Sequence, residues 1–315
     1  MAIAAIVLGI LVVLDGWETP RVLARAEPAF VIAAFVAYAV FFVIRGIRWA
    51  ALVRPYAPGV SMIRAASLTG FGWLVSTFVP MKAGDVARAA LLARHERANA
   101  AHVVGAVAIE RVLDVFGLAA AASFGLLAGR VVLAERLPAF VANALIVAWV
   151  LPLIAFAALV GLSIWLSKKP DRPGFARVIA RFAEPFRAVA QDWRRLPLLV
   201  TLTLLVCAAQ ITMFTFVFLA LDPTAWLAAV IVGVPLFLLT FIASFVPGNV
   251  GTYEAGFVVV FTIVGFDPGV LLGYAVAAHV MTVSFVTVLG SVGYSIHRLL
   301  RTKETESVES RNVPA

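Results

Sequence analysis

Ser76-Thr77-Phe78-Val79-Pro80-Met81-Lys82-Ala83-Gly84-Asp85 closes an apolar run on Phe-Val-Pro and then turns polar. Ser244-Phe245-Val246-Pro247-Gly248-Asn249-Val250-Gly251-Thr252-Tyr253-Glu254 does the same in the second half of the chain. Each places a glycine four residues after the proline and a carboxylate soon after the glycine. Proline lacks an N–H donor and glycine is conformationally loose, so both stretches should break a helix. Broken helices at corresponding places in two halves of a membrane protein point to a transport site.

Apolar residues make up 63% of the chain and charged residues 13%, against about 45–50% and about 25% in soluble domains. Apolar runs of membrane-spanning length recur throughout. In lipid the backbone must satisfy its own hydrogen bonds, which leaves helices or a closed barrel. The runs are continuous rather than alternating ten-residue segments, so helices are expected. The lone cysteine, Cys207, lies inside an apolar run and reads as a packing residue. The four histidines (His95, His102, His279 and His297) are scattered, and no metal-ligand spacing is present. Neither a cofactor nor a nucleic-acid partner is expected.

Full spans are expected at 1–14, 29–44, 101–128, 141–166, 197–220 and 268–297. Met1–Leu14 has no preceding basic residue, unlike a secretory signal, and reads as a first span that is short at its front edge. Basic residues then set the orientation. Twenty of the 25 Lys and Arg fall in 45–64, 81–100, 167–196 and the C-terminal tail. The opposite loops hold Arg21, Arg25, Arg130 and Arg136, and Arg111 lies within a span. By the positive-inside rule the basic side is cytoplasmic and carries both termini. The segments 61–95 and 226–265 then begin and end on one side each. Each reads as a re-entrant pair of half-helices, although a pair of full crossings with one basic loop outside stays open.

The expected fold is therefore all-α. It is a polytopic protein of about six full spans and two re-entrant hairpins in an inverted repeat. One domain covers 1–300, and 301–315 forms a disordered cytoplasmic tail. The 167–196 stretch, punctuated by prolines and strongly basic, reads as a solvated loop near anionic headgroups.

Ionisable groups within a bilayer cost at least about 2.5–3.5 kcal/mol each on insertion scales, so those retained need a reason. Lys82, Asp85 and Arg88 follow the first break, with Asp85 and Arg88 on one helical face. Glu110 and Asp114 share a face of the 101–128 span at i, i+4, and two carboxylates there call for a cation between them. Arg111 is rotated about 100° from Glu110, so Arg88 or Lys82 is the expected partner. Asn249 and Glu254 flank the second break, with no basic residue near Glu254 in sequence. Arg45, Arg48 and Trp49 read as interface anchors, and His279 and Gln210 as interhelical hydrogen-bonding groups. The Glu110-Arg111-x-x-Asp114 group also admits a purely structural reading. No nucleophile elbow, zinc-protease helix or phosphate-binding loop is present.

Taken in order, Arg45-Gly46-Ile47-Arg48-Trp49, Pro80-x-x-x-Gly84-Asp85-x-x-Arg88, Glu110-Arg111-x-x-Asp114 and Pro247-x-x-x-Gly251-x-x-Glu254 form a pattern. It resembles the flippase-like membrane domain of bacterial lysyl-phosphatidylglycerol synthases, over roughly residues 5–300. That family includes stand-alone proteins, some linked to hopanoid biosynthesis. It often carries Glu where this chain has Asp85. No aminoacyl-transfer domain is read in these residues, so lysine transfer from tRNA is not expected of them. The resemblance implies lipid translocation in a bacterial cytoplasmic membrane, with a phospholipid or other polar lipid as partner and no enzymatic step. Lys82, Asp85, Arg88, Glu110, Arg111, Asp114, Asn249 and Glu254 are the expected substrate-binding residues. Two rivals stay open: a non-transporting subunit of a hopanoid or glycolipid biosynthetic complex, and a membrane enzyme acting on a lipid phosphate.

Overall fold

The structure, a computed structural model, describes residues 18–128, 139–168, 174–240 and 246–311. The expected first span at 1–14 lies outside the described residues, as do Arg130 and Arg136. Among the described residues all regular structure is helical. The helices are α1 (Glu18–Ala24), α2 (Pro28–Val53), α3 (Met62–Phe78), α4 (Ala83–His95), α5 (Ala100–Ala128), α6 (Ala139–Ser167), α7 (Gly174–Gln191), α8 (Leu196–Leu221), α9 (Leu227–Thr240), α10 (Thr252–Ile263) and α11 (Pro268–Arg311). Among the described residues, four stretches are long and apolar enough to cross a membrane: Pro28–Val53, Val141–Ser167, Trp193–Leu221 and Pro268–Thr302. Helix α5 has the length as well, at 29 residues, but carries its ionisable groups along its first half.

The helices at the two breaks are short. At 1.5 Å per residue, α3 and α4 run about 26 and 20 Å, and α9 and α10 about 21 and 18 Å. None reaches the roughly 30 Å of hydrocarbon that a crossing needs. The first break forms because Val79, ahead of Pro80, is extended (φ −119°, ψ 131°), as the proline ring requires. Met81 and Lys82 then take left-handed conformations (φ 61° and 52°) and reverse the chain. The Ser76 hydroxyl accepts the Gly84 N–H at 3.2 Å and closes the turn. The second break does the same with Gly248, Asn249 and Gly251 at φ 61°, 57° and 79°. Left-handed non-glycine residues cost energy and gather at functional sites.

Each broken pair folds back on itself. Arg64, at the start of α3, meets Glu96, just past the end of α4, at 3.3 Å. In the second pair, Gly233 of α9 faces Phe261 near the far end of α10, while Thr240 faces Gly256 near the break. The two tips touch: a Cβ on Gly248 would stand 3.1 Å from the Thr77 carbonyl oxygen. Two re-entrant hairpins thus enter from opposite sides and meet tip to tip.

The loops rich in basic residues lie together. Tyr56, between α2 and α3, stacks on His102 at the start of α5 (ring centroids 4.6 Å apart). His102 bonds Glu184 of α7 at 2.9 Å. His95 at the end of α4 lies 6.3 Å, ring to ring, from His297 of α11. The 167–196 stretch, read from sequence as a loop, contains α7, which buries Ala180, Ala183, Pro185 and Phe186. Pro185 lies inside α7 without ending it. Helix α6 packs on α5 and α7 at the periphery.

In hydrocarbon, helix packing relies on close contact rather than on escape from water. Helices α3 and α11 meet at backbone distance for this reason. A Cβ on Gly290 would sit 2.8 Å from the Gly70 carbonyl oxygen, and one on Gly293 2.7 Å from that of Ser67. Two apolar clusters flank the centre. One gathers Phe41, Phe218, Phe237 and Phe261; the other gathers Trp49, Leu68, Leu92 and Phe186 nearer the basic loops.

Candidate functional site

Beside the first of those clusters lies a cavity of about 170 Å³ with charged and polar side chains in its wall. Where about 10–15 Å³ of such space admits one water, this is room on the order of ten waters, the scale of a lipid headgroup. The first hairpin supplies Trp73, Ser76, Thr77, Lys82 and Asp85 to its wall, and the second supplies Gly248, Asn249 and Tyr253. Tyr38 and Arg45 come from α2, Arg111 and Asp114 from α5, Gln210 from α8 and His279 from α11. Both half-helices that leave the breaks, α4 and α10, start here, so both positive dipole ends lie beside the cavity.

A charge cluster backs one wall. Arg45 contacts Glu110 at 2.6 Å and Asp114 at 2.5 Å. Arg48 bonds Asp114 and donates to the Thr203 hydroxyl at 3.2 Å. Arg88 reaches Glu110 at 3.1 Å and Asp85 at 2.9 Å, with its guanidinium 4.6 Å over the Trp49 ring. Arg111 joins Asp85 at 2.7 Å and Asp114 at 3.2 Å. Every carboxylate in the group therefore touches at least two guanidiniums. Arg45 is 1% exposed, and Arg48, Arg88 and Glu110 are each 0% exposed. Only such a paired arrangement keeps charges this deeply buried.

The second hairpin carries its own carboxylate at the matching place. Asp85 and Glu254 are each the third residue of the half-helix that leaves a break. Glu254 caps its helix, accepting the Gly251 N–H at 2.7 Å. Its other oxygen is 2.6 Å from His279 Nδ1, and His279 Nε2 is 2.8 Å from the Gly248 carbonyl oxygen. Both ring nitrogens thus face oxygens, and the His279–Glu254 contact ties α11 to the second break.

Of the eight residues expected from sequence, Lys82, Asp85, Arg111, Asp114 and Asn249 line the cavity. Arg88, Glu110 and Glu254 stand behind it, holding others. Three sequence readings change. Arg45 and Arg48 are not interface anchors but the principal counter-ions of Glu110 and Asp114. Arg111 belongs to the cluster: it lies i, i+3 from Asp114 and so shares its face. Glu254 has a basic partner after all, His279, which sequence distance hid. The i, i+3 spacing of Arg45 and Arg48 along one helix was the available signal for the first of these.

The family model for the lysylphosphatidylglycerol synthase TM region matches residues 1–290. The chain belongs to that family. A curated relative of this lysylphosphatidylglycerol synthase TM-region protein is "Glycosyltransferase AglD" of Haloferax volcanii. The two are 28% identical over 340 aligned positions, covering 95% of this chain and 54% of the relative. The chain thus spans about half the length of the curated relative it matches. No solved structure matches it.

Proposed function

We propose that the protein moves a polar-headgroup lipid between the leaflets of a membrane, the headgroup crossing through the central cavity while the acyl tails stay in hydrocarbon. The observation that carries this reading is a charged, headgroup-sized cavity at the meeting point of two broken hairpins in an otherwise apolar helical protein. Ions there replace the water that the headgroup leaves behind. Tip-to-tip hairpins give the two halves a place to part on either side in turn, which is how inverted-repeat transporters alternate access. Under the positive-inside rule the joined basic loops face the cytoplasm of the inner membrane. The reading is of a non-enzyme: Glu110 is sealed from the cavity, and Asp85 and Asp114 are each clamped by guanidiniums, so none is free to work as an acid or base.

The test is reconstitution into liposomes with acyl-labelled fluorescent lipids, read by dithionite accessibility, for the unaltered protein and Asp85→Asn. Protein-dependent movement that falls in the variant supports the reading. Absence of movement for every headgroup, in protein shown to be folded, overturns it.

The name of the Haloferax relative favours one rival, a membrane region that serves or performs glycosyl transfer to a lipid. Product formed in detergent from a sugar donor and a polyprenyl phosphate would support that rival, since detergent offers no leaflets to cross.

A further inference from the structure

A second cavity, also of about 170 Å³, lies at the end of the bundle that carries the basic loops and shares no wall residue with the central one. Leu52 near the end of α2, Leu199 in the first turn of α8 and Pro185, Ala188 and Val189 of α7 form most of its wall. It has room on the order of ten waters, but water gains few hydrogen bonds against so apolar a wall. Left empty, the space costs its lining side chains their contacts. Hydrocarbon suits it better, since a methylene group fills about as much space as a water.

The rim is charged. Arg195 and Asp192 belong to the wall, with Arg195 Nε 2.7 Å from Asp192 Oδ2 and the arginine side chain 54% exposed. Arg54 and Arg194 adjoin the wall residues Pro55 and Arg195 in sequence, and both are exposed. Arg187 stands between Pro185 and Ala188 on α7. The cavity thus runs from an arginine-rich rim into apolar surface where two spans, Pro28–Val53 and Trp193–Leu221, have their margins. Trp193 is exposed at that margin, as indoles are where hydrocarbon meets headgroups.

We propose that this second cavity is a resident-lipid site: it holds part of one acyl chain of an anionic phospholipid, whose phosphate sits against Arg195 at the rim. The chain fills the apolar wall, and the headgroup charge suits the arginines. A zwitterionic lipid fits the wall equally well but brings an ammonium group to the rim. The site is independent of what the central cavity carries. Its occupant braces the charge cluster from outside. The Leu199 carbonyl accepts the Thr203 hydroxyl at 2.7 Å, and the Thr203 oxygen accepts Arg48 Nη1 at 3.2 Å. Leu52 lies one turn beyond Arg48 on α2, so a chain seated between Leu52 and Leu199 holds together the two helices that position Arg48.

The test is native mass spectrometry and thermal melts of the full chain, delipidated in detergent, on addition of phosphatidylglycerol or phosphatidylcholine with the same acyl chains. Phosphatidylglycerol should be retained where phosphatidylcholine is not, and should raise the melt. An arginine near an anionic headgroup contributes about fivefold in affinity. Arg195→Gln should therefore lower phosphatidylglycerol binding about fivefold, and Asp192→Asn, which frees that arginine, should raise it. A pair that served structure alone would make both variants lose together. Ala188→Leu places a side chain where the acyl chain goes, so it should abolish the lipid-dependent rise while leaving the lipid-free melt at or above the original. Arg298→Gln, which removes an exposed arginine of α11 on the same side, should change nothing. Equal binding of the two lipids, a rise retained in Ala188→Leu, or a loss in Arg298→Gln as large as in Arg195→Gln overturns the proposal. Should Ala188→Leu fail to fold, Arg195→Gln and Asp192→Asn decide: opposite shifts support the site, and shifts of one sign or none overturn it.

Discussion

Glu110→Gln is the most demanding test of the buried cluster. Glu110 is sealed from solvent, and its carboxylate is the shared counter-charge of Arg45 at 2.6 Å, Arg88 at 3.1 Å and Arg48 at 3.9 Å. Glutamine keeps the shape and one acceptor oxygen but removes the charge. The excess of the four arginines over their carboxylates then rises from one to two, inside a site where Arg45, Arg48 and Arg88 are at most 1% exposed. Removing one partner of a buried ion pair costs about 3–5 kcal/mol, a large part of the roughly 5–15 kcal/mol that holds a native protein together. At about 2–4 °C per kcal/mol for chains of a few hundred residues, the midpoint of a thermal melt in detergent should fall by on the order of 10 °C. A second substitution, Arg88→Met, returns the excess to one. The double variant should therefore lose less than the sum of the two single losses, by at least about 1 kcal/mol of coupling. A Glu110→Gln protein that melts with the unaltered one, or two losses that simply add, would refute the account of the cluster as one charge-balanced unit.

Other outcomes are as specific. A Cβ on Gly84 would lie 1.7 Å from the Gly72 carbonyl oxygen, so Gly84→Ala should cost at least about 1–3 kcal/mol by forcing α3 and α4 apart. Gly161→Ala, in α6 with nothing within 4 Å, should be neutral or gain up to about 1 kcal/mol; the two melts compared check both. Glu254→Gln keeps an oxygen for the Gly251 N–H but takes away the carboxylate that faces His279 Nδ1. A loss of about 1–3 kcal/mol is expected, and a melt at the original midpoint would show that the His279 bridge holds nothing.

The breaks were legible because their signals are local. Pro80 and Pro247 end apolar runs, Gly248 and Gly251 mark where the chain turns at the second break, and Gly84 marks where α4 passes close to α3. The spans were legible for the same reason, since a run such as 197–220 declares its length and its apolar character together. The cluster was not. The i, i+3 spacing of Arg45 and Arg48 puts both on one helical face, a signal too weak to tell an arginine that snorkels to the interface from one that turns inward. Their carboxylates stand on α5, and only the packing of α2 against α3, α5 and α8 brings them together. Likewise Glu254 and His279 are 25 residues apart, joined by the return of α11 along α10. Helix α7 was hidden by Pro185, which the helix accommodates while burying its apolar face on α5 and α6.

The distance in sequence between the α2 arginines and their carboxylates also sets a schedule for synthesis. Arg45 and Arg48 bond Asp114, 69 and 66 residues later. Arg45 lies eight residues from the end of α2, about 12 Å along its axis. At about 5–20 residues per second, α2 is made several seconds before its counter-charges leave the ribosome. For that interval each arginine carries an insertion cost of about 2.5–3.5 kcal/mol with nothing to offset it. A nascent chain ending before Glu110 should therefore hold α2 displaced toward the side of the basic loops, and one ending beyond Asp114 should let it settle. The ion cluster is thus a checkpoint in assembly: α2 reaches its final depth only when α5 arrives to receive it.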